Sequence, residues 1–303
     1  MRHIKRRYMR LKIKLGGVVL LFLSDRDMEI HAELLPFLVH DEDEAEEITI
    51  LVKRDWENVR LPETEPLGED LICRYYRQNG QRYCVTRGGR AGTIACSVYT
   101  CECTRIVCTI NEGVLRRPFR QAGTIFRMLP MREIFLAKNI LFFHAAQIAV
   151  DGKGILFSAP SGTGKTTQAK LWEKYRNAEI ICSDRTLVHK TEGAWRTYGY
   201  PADGSEPVRS GKVHTLGCIV LLKQGAENQI IKLTAAKALA GLMPQMVLDC
   251  WNPEARTKAV ELLLQIFADI PVFLFSCTCD ESAVKILEEE LQRRGVIENG
   301  ENY

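Results

Sequence analysis

Lys165 and Thr166 stand together at the end of a glycine-rich run, Gly154-Ile-Leu-Phe-Ser-Ala-Pro-Ser-Gly-Thr-Gly-Lys165-Thr-Thr-Gln-Ala-Lys-Leu-Trp172. An ammonium and a hydroxyl behind such a turn suit a phosphate. Backbone N–H groups of the turn converge on phosphate oxygens, and a helix opening near Lys165 adds its positive end. Lys165 then reaches the β- and γ-phosphates and the Thr166 hydroxyl ligates Mg²⁺. Ser161, Gly162, Thr163, Gly164 and Thr167 complete the predicted nucleotide-binding set. Ala159 departs from the pattern G-x-x-x-x-G-K-[ST], standing where the first glycine is expected.

Phosphoryl chemistry also needs a carboxylate, to hold metal or accept a hydroxyl proton, and cations to offset developing charge. Asp184 follows the apolar stretch Ile180-Ile-Cys182 and is the candidate base or metal ligand. His144, in an apolar stretch ahead of the glycine-rich run, reads on its own first as a core or satisfied histidine and second as a candidate catalytic group of tunable pKa, with Lys165 a further candidate.

The elements that must position these residues are legible from periodicity. Residues 154–158 read as a strand. Residues 166–175 read as a helix free of proline, with Ala169, Leu171 and Trp172 on its buried stripe. Residues 140–150 form a strand joined to the one over 154–158 through Asp151-Gly-Lys. A buried strand is expected over 178–183 and a hairpin over 185–200, turning at Thr191-Glu-Gly193. Strands follow at 218–223, 229–233 and 272–277, and helices at 235–248, 253–266 and 281–294. Ahead of them, a helical stretch over 128–138 follows a β-rich region, with strands expected at 13–23, 47–52, 70–77, 82–86, 93–99 and 104–110. The predicted division is a β-rich N-terminal domain over residues 1–128 and an α/β domain over residues 129–303.

Of 303 residues, 46% are apolar and 26% charged, with a net charge of +3. That balance is ordinary for a globular protein and argues against a nucleic-acid partner. The start Arg2-His-Ile-Lys-Arg-Arg-Tyr-Met-Arg10 is basic and an apolar run, Leu15-Gly-Gly-Val-Val-Leu-Leu-Phe-Leu23, follows it. The run is too short to span a bilayer and no small-x-small site follows, so a β-strand and a cytoplasmic protein without membrane attachment are expected. Six of eleven cysteines lie between Cys73 and Cys108. Cys96, Cys101, Cys103 and Cys108 have one single-residue spacing flanked by two four-residue gaps. The Thr/Val/Ile-rich stretch puts Cys101 and Cys103 on one expected strand face, so small buried hydrophobes are favoured over a zinc site. The acidic stretch over 40–47 reads as a solvated loop or a helix start, and the loop over 203–212 reads either as a solvated surface loop or as a source of cations that fold over a nucleotide or substrate.

His144-Ala-Ala, the run Phe157-Ser-Ala-Pro-Ser-Gly-Thr-Gly-Lys-Thr-Thr and Cys182-Ser-Asp-Arg together resemble the HPr kinase/phosphorylase-like family. Its P-loop core is shared with phosphoenolpyruvate carboxykinases. The resemblance spans roughly residues 130–303 and is similar to short carboxykinase-like proteins found near peptide-maturation genes. It implies a P-loop core with a mixed sheet, ATP and Mg²⁺ as cofactors, and His144 against the transferred phosphate. It also implies a Ser/Thr kinase acting on a small protein or peptide. Self-association into a homo-oligomer is a separate expectation, open at this point. The family has two consecutive aspartates, whereas here Ser183 precedes Asp184. HPr kinases carry an acidic residue where Thr167 stands. A catalytically degenerate nucleotide-binding module for a peptide-maturation partner is therefore the alternative. Carboxykinase activity ranks behind both, since no arginine-rich oxaloacetate site precedes the loop.

Overall fold

Between Leu15 and Val18 the chain reverses through Gly16 and Gly17, whose φ angles of 60° and 89° are open to glycine at little cost. The single strand expected over 13–23 is therefore a hairpin of β1 (Arg7–Leu15) and β2 (Val18–Glu29). A Gly-Gly pair between two apolar runs is a two-residue hairpin signal. The computed structural model describes residues 7–39, 46–120, 123–201 and 210–298. The basic start up to residue 6 and most of the acidic stretch over 40–47 lie outside them.

The chain divides into two compact units. The first comprises Met1–Lys138 with Asp249–Arg256, the second Asn139–Leu248 with Thr257–Tyr303. In the first, β3 (Glu47–Lys53), β4 (Gly68–Glu69), β5 (Cys73–Gln78), β6 (Gln81–Arg87), β7 (Thr93–Tyr99) and β8 (Arg105–Ile110) join the hairpin. They build one eight-stranded sheet in the order β1-β2-β3-β8-β7-β6-β5-β4. Only the β2–β3 and β3–β8 pairings are parallel. Alternation buries Ile48, Ile50 and Val52 of β3 with Ile106 and Cys108 of β8. Helices α1 (Thr124–Arg127) and α2 (Met131–Ala137) follow. From α2, Glu133 accepts a 2.7 Å hydrogen bond from Tyr99 and pairs with Arg82. Its neighbour Arg132 pairs with Asp70 and, at 2.9 Å, with the buried Asp249.

All eleven cysteines are free thiols, eight of them buried. Cys101 and Cys103 do not share a strand face. They lie in the turn between β7 and β8, where Cys103 has φ 51° and is buried while Cys101 is exposed. The strand ends at Tyr99, so the two-residue alternation stops before it reaches them.

The second unit holds β9 (Leu141–Val150), β10 (Lys153–Ser158), α3 (Lys165–Arg176), β11 (Glu179–Cys182), β12 (Arg185–Thr191), β13 (Ala194–Gly199), β14 (Val213–Gln224), β15 (Gln229–Lys232), α4 (Ala235–Leu242), α5 (Pro253–Asp269), β16 (Val272–Cys277) and α6 (Glu281–Arg293). The boundary between the units falls inside α5. The expected helix over 235–248 stops at Leu242 and gives way to a 3₁₀ turn, Met243–Gln245, around Pro244, which has no N–H to continue the ladder. The sheet runs β10-β9-β12-β13-β14-β16-β15, with β11 on β9. β14 also pairs with β10, so the pairings from β10 through β9, β12 and β13 return to their start. Trp172 and Ala169 of α3 and Leu287 and Leu291 of α6 bury against Ala146, Ile155, Phe157, Val220 and Phe273. The whole is a mixed α/β protein dominated by strands, with two large mixed sheets.

Candidate functional site

β10, β14 and β16 run parallel, so their carboxyl ends share one edge of the sheet. The glycine-rich turn leaves β10 there. Gly162 has φ 79° and Gly164 φ 112°, and an added Cβ at either would meet nothing within 4 Å. Glycine is required at both for backbone conformation, and not for space. Ala159 is buried and has no left-handed φ, which explains how a methyl group replaces the first glycine of the pattern.

α3 opens at Lys165 directly behind Gly164. The Lys165 side chain folds back over the turn, donating to the carbonyl of Ala159 at 2.9 Å and of Pro160 at 3.4 Å. Only 6% of Lys165 is exposed. Burial lowers the pKa of its ammonium, against the charge of Asp184, which raises it. Thr166 is half-buried in the first turn of the helix, and Ser161 and Thr167 are exposed. On the far side of the turn, Gln224 at the end of β14 donates to the carbonyl of Gly162 at 3.4 Å.

The antiparallel β9–β10 register sets Ala145 opposite Ser158. His144 therefore lies one step beyond the last residue of the strand feeding the turn. Ser158, fully buried, fixes that corner by donating to the His144 carbonyl at 3.1 Å. Asp184 sits between β11 and β12, with its backbone carbonyl taking the Ala145 N–H at 2.9 Å. Its Oδ1 lies 2.8 Å from His144 Nε2, and its Oδ2 lies 3.5 Å from Nε of Arg185. Burial alone would raise the Asp184 carboxyl, but the hydrogen bond from His144 and the charges of Arg185 and Lys165 hold it below the usual carboxylate value. A carboxylate that stays ionised, a histidine and a buried lysine thus gather around one turn with a helix start behind it. Such a set can bind phosphate, order a metal and accept a proton.

The structure brings Asp184, His144 and Lys165 together, and it puts Ser161, Gly162, Thr163, Gly164, Thr166 and Thr167 in the turn and first helical turn beside them. The cations expected in the loop over 203–212 lie outside the described residues up to Arg209. Lys212, by contrast, is engaged at 2.9 Å with Glu179. Gln224 and Ser158 were not legible as site residues. The one available signal for Gln224 is its place at the end of a very apolar strand parallel to the one feeding the turn. Among the described residues, no three His, Cys, Asp or Glu side chains are grouped as a ready metal cage. No helix among them is long and apolar enough to cross a membrane.

A family model described as "SynChlorMet cassette protein ScmC" matches residues 107–289, more than half of the chain. The chain belongs to the ScmC family. The matched span runs from β8 to α6 and includes His144, the whole glycine-rich turn and Asp184. No curated protein matches this ScmC-family chain. Among solved structures, it is similar to the Hpr(Ser) kinase/phosphatase from Coxiella burnetii, at 15% identity and a TM-score of 0.29, over 51% of this chain and 95% of that one.

Proposed function

We propose that the second unit is a P-loop module that binds ATP with Mg²⁺ and transfers the γ-phosphoryl group to a Ser/Thr hydroxyl of a small protein or peptide, in the manner of HPr kinases. Within the predicted division, residues 129–303 carry the reaction. The observation that carries the reading is the convergence of Lys165, set behind two left-handed glycines, with the Asp184–His144 pair.

The residues present fit both groups. Lys165 donates to two carbonyls of its own turn, and those donors are the ones a β/γ-phosphate would take. Thr166 would supply an oxygen ligand directly, and Asp184, serving as the base, would order the metal only through a bound water. Mg²⁺ draws its remaining ligands from phosphate and water, so no larger carboxylate cage is needed. When bound, the metal offsets charge on the phosphate oxygens.

Backbone N–H groups of Ser161 to Gly164 and the start of α3 hold the phosphates. Asp184, ionised at neutral pH, accepts a hydrogen bond from the acceptor hydroxyl and takes its proton as the new O–P bond forms. His144 holds the Asp184 carboxylate in place and stands against the transferred group. The bond from the γ-phosphorus to ADP breaks, and ADP leaves. Incubating the protein with γ-labelled ATP and candidate small proteins and peptides tests this. Label should pass to a Ser/Thr hydroxyl with wild type and not with Asp184→Asn. Absence of transfer to any hydroxyl, with nucleotide bound, would contradict the kinase reading.

One observation favours a second reading, a nucleotide-gated binding module without turnover. Ser183, buried at the end of β11, occupies the place of a second aspartate and leaves the site with one carboxylate. In that case Ser183→Asp creates transfer that wild type lacks.

A further inference from the structure

β12 begins with Arg185, whose Cα is directly paired with His144 across the β9–β12 ladder. Opposed residues of an antiparallel pair present their side chains to the same face. The Arg185 guanidinium is fixed in two ways. Its carbon lies 5.6 Å from the ring centroid of Phe142, and its Nε is 3.5 Å from Asp184 Oδ2. The contact with Asp184 is one of charge, because that Nε is buried without a hydrogen-bond partner. The forked donors of Arg185 are therefore not spent on a bidentate pair with Asp184. Asp184 lies between two cations, with Arg185 on one oxygen and the Lys165 ammonium within electrostatic reach.

Resting on the phosphoryl-transfer reading, we infer that Arg185 binds the terminal phosphate of the nucleotide and so distinguishes a nucleoside triphosphate from a diphosphate. Lys165 and the turn grip the phosphates common to both. A γ-phosphate reaching Asp184 enters the reach of Arg185, whose planar fork matches two phosphate oxygens as a lysine cannot. Arg185 takes no covalent part. The γ-phosphorus to bridging-oxygen bond breaks, the acceptor oxygen bonds to phosphorus, the acceptor proton passes to Asp184, and Arg185 offsets charge on the phosphoryl oxygens throughout.

Calorimetric titration of MgATP and MgADP into wild type, Arg185→Gln and Arg185→Lys tests the assignment, with thermal unfolding confirming that each variant is folded. Wild type should bind ATP more tightly than ADP. Arg185→Gln should lose about tenfold in ATP affinity while ADP affinity stays within about twofold, and Arg185→Lys should fall between. An unchanged ATP-to-ADP ratio in Arg185→Gln overturns the inference. So does a wild type that binds both nucleotides equally, which would leave the phosphate-loop reading standing. Wild type binding neither nucleotide overturns both. If Arg185→Gln does not fold, Arg185→Lys decides alone through the same ratio.

Discussion

His144 Nε2 and Asp184 Oδ1 lie 2.8 Å apart, although 40 residues separate them in the chain. The contact follows from backbone pairing: Ala145 donates its N–H to the Asp184 carbonyl, and Arg185 pairs with His144 in the next rung. The sheet therefore fixes the pair before any ligand binds.

Asp184→Asn keeps the shape of that contact and removes the charge. It should leave ATP bound while cutting phosphoryl transfer by roughly 10²-fold, the scale of losing a positioned base. Single-turnover rates with labelled ATP measure this. Equal rates for the two proteins would remove Asp184 from the chemistry.

Gly164→Ala should damage the turn through the backbone alone. Space is open around the added Cβ, but φ of 112° is strained for any residue with a side chain. A cost of about 1–3 kcal/mol is expected, taken either as lost stability or as a turn displaced from its binding geometry. Denaturant unfolding together with ATP titration separates these outcomes. A variant identical to wild type in both would show that the conformation is dispensable.

Trp172 is fully buried, with its ring centroid 6.5 Å from that of Phe157 on the strand that feeds the turn. Trp172→Ala should cost about 3–5 kcal/mol in unfolding free energy. Loss of less than about 1 kcal/mol would contradict its place at the centre of the α3 packing.

Much of the second unit was legible because its signals are local. β16 spans the expected residues 272–277, and the Asp151-Gly152 and Glu192-Gly193 turns have the left-handed φ angles their sequences call for. Lys165 and Asp184 were readable because a glycine-rich turn and a carboxylate after an apolar strand carry chemistry in their order alone. What escaped depends on pairing between distant strands. No local pattern reveals that Ser158 ties down the His144 carbonyl, that Gln224 holds Gly162, or that Arg185 is opposite His144. In the first unit, Gly16-Gly17 was passed over because the flanking apolar runs read as one. Asp249–Arg256 belongs to that unit through long-range contacts that local periodicity does not encode.

Asp249 gives the first unit a pH signature. Burial pushes its carboxyl up from 3.8 to about 6, against the pull of Arg132 and with further upward pressure from Glu133 and Asp70. A carboxyl raised in the folded state binds a proton there that the unfolded chain has already lost. Its contribution to stability is therefore present below the unfolded value and fades as pH rises from about 4 to about 6. Asp70 acts oppositely and lower down, because its pKa is lowered: burial raises it, but hydrogen bonds from Cys73, Arg132 and Ile72 outweigh that. Its contribution fades as pH falls below its ordinary range. Urea unfolding across this range should show Asp249→Asn removing the decline between about pH 4 and 6. An unchanged pH profile in the variant would contradict the assignment.

The central claim is that the turn before α3 binds nucleotide phosphates through Lys165. Calorimetric titration of MgATP into wild type and Lys165→Ala tests it most directly. Wild type should bind, and the variant should lose at least about tenfold in affinity, or about 1.4 kcal/mol, while unfolding at a similar temperature. Equal affinities in the two proteins, or no binding by wild type, would contradict the account.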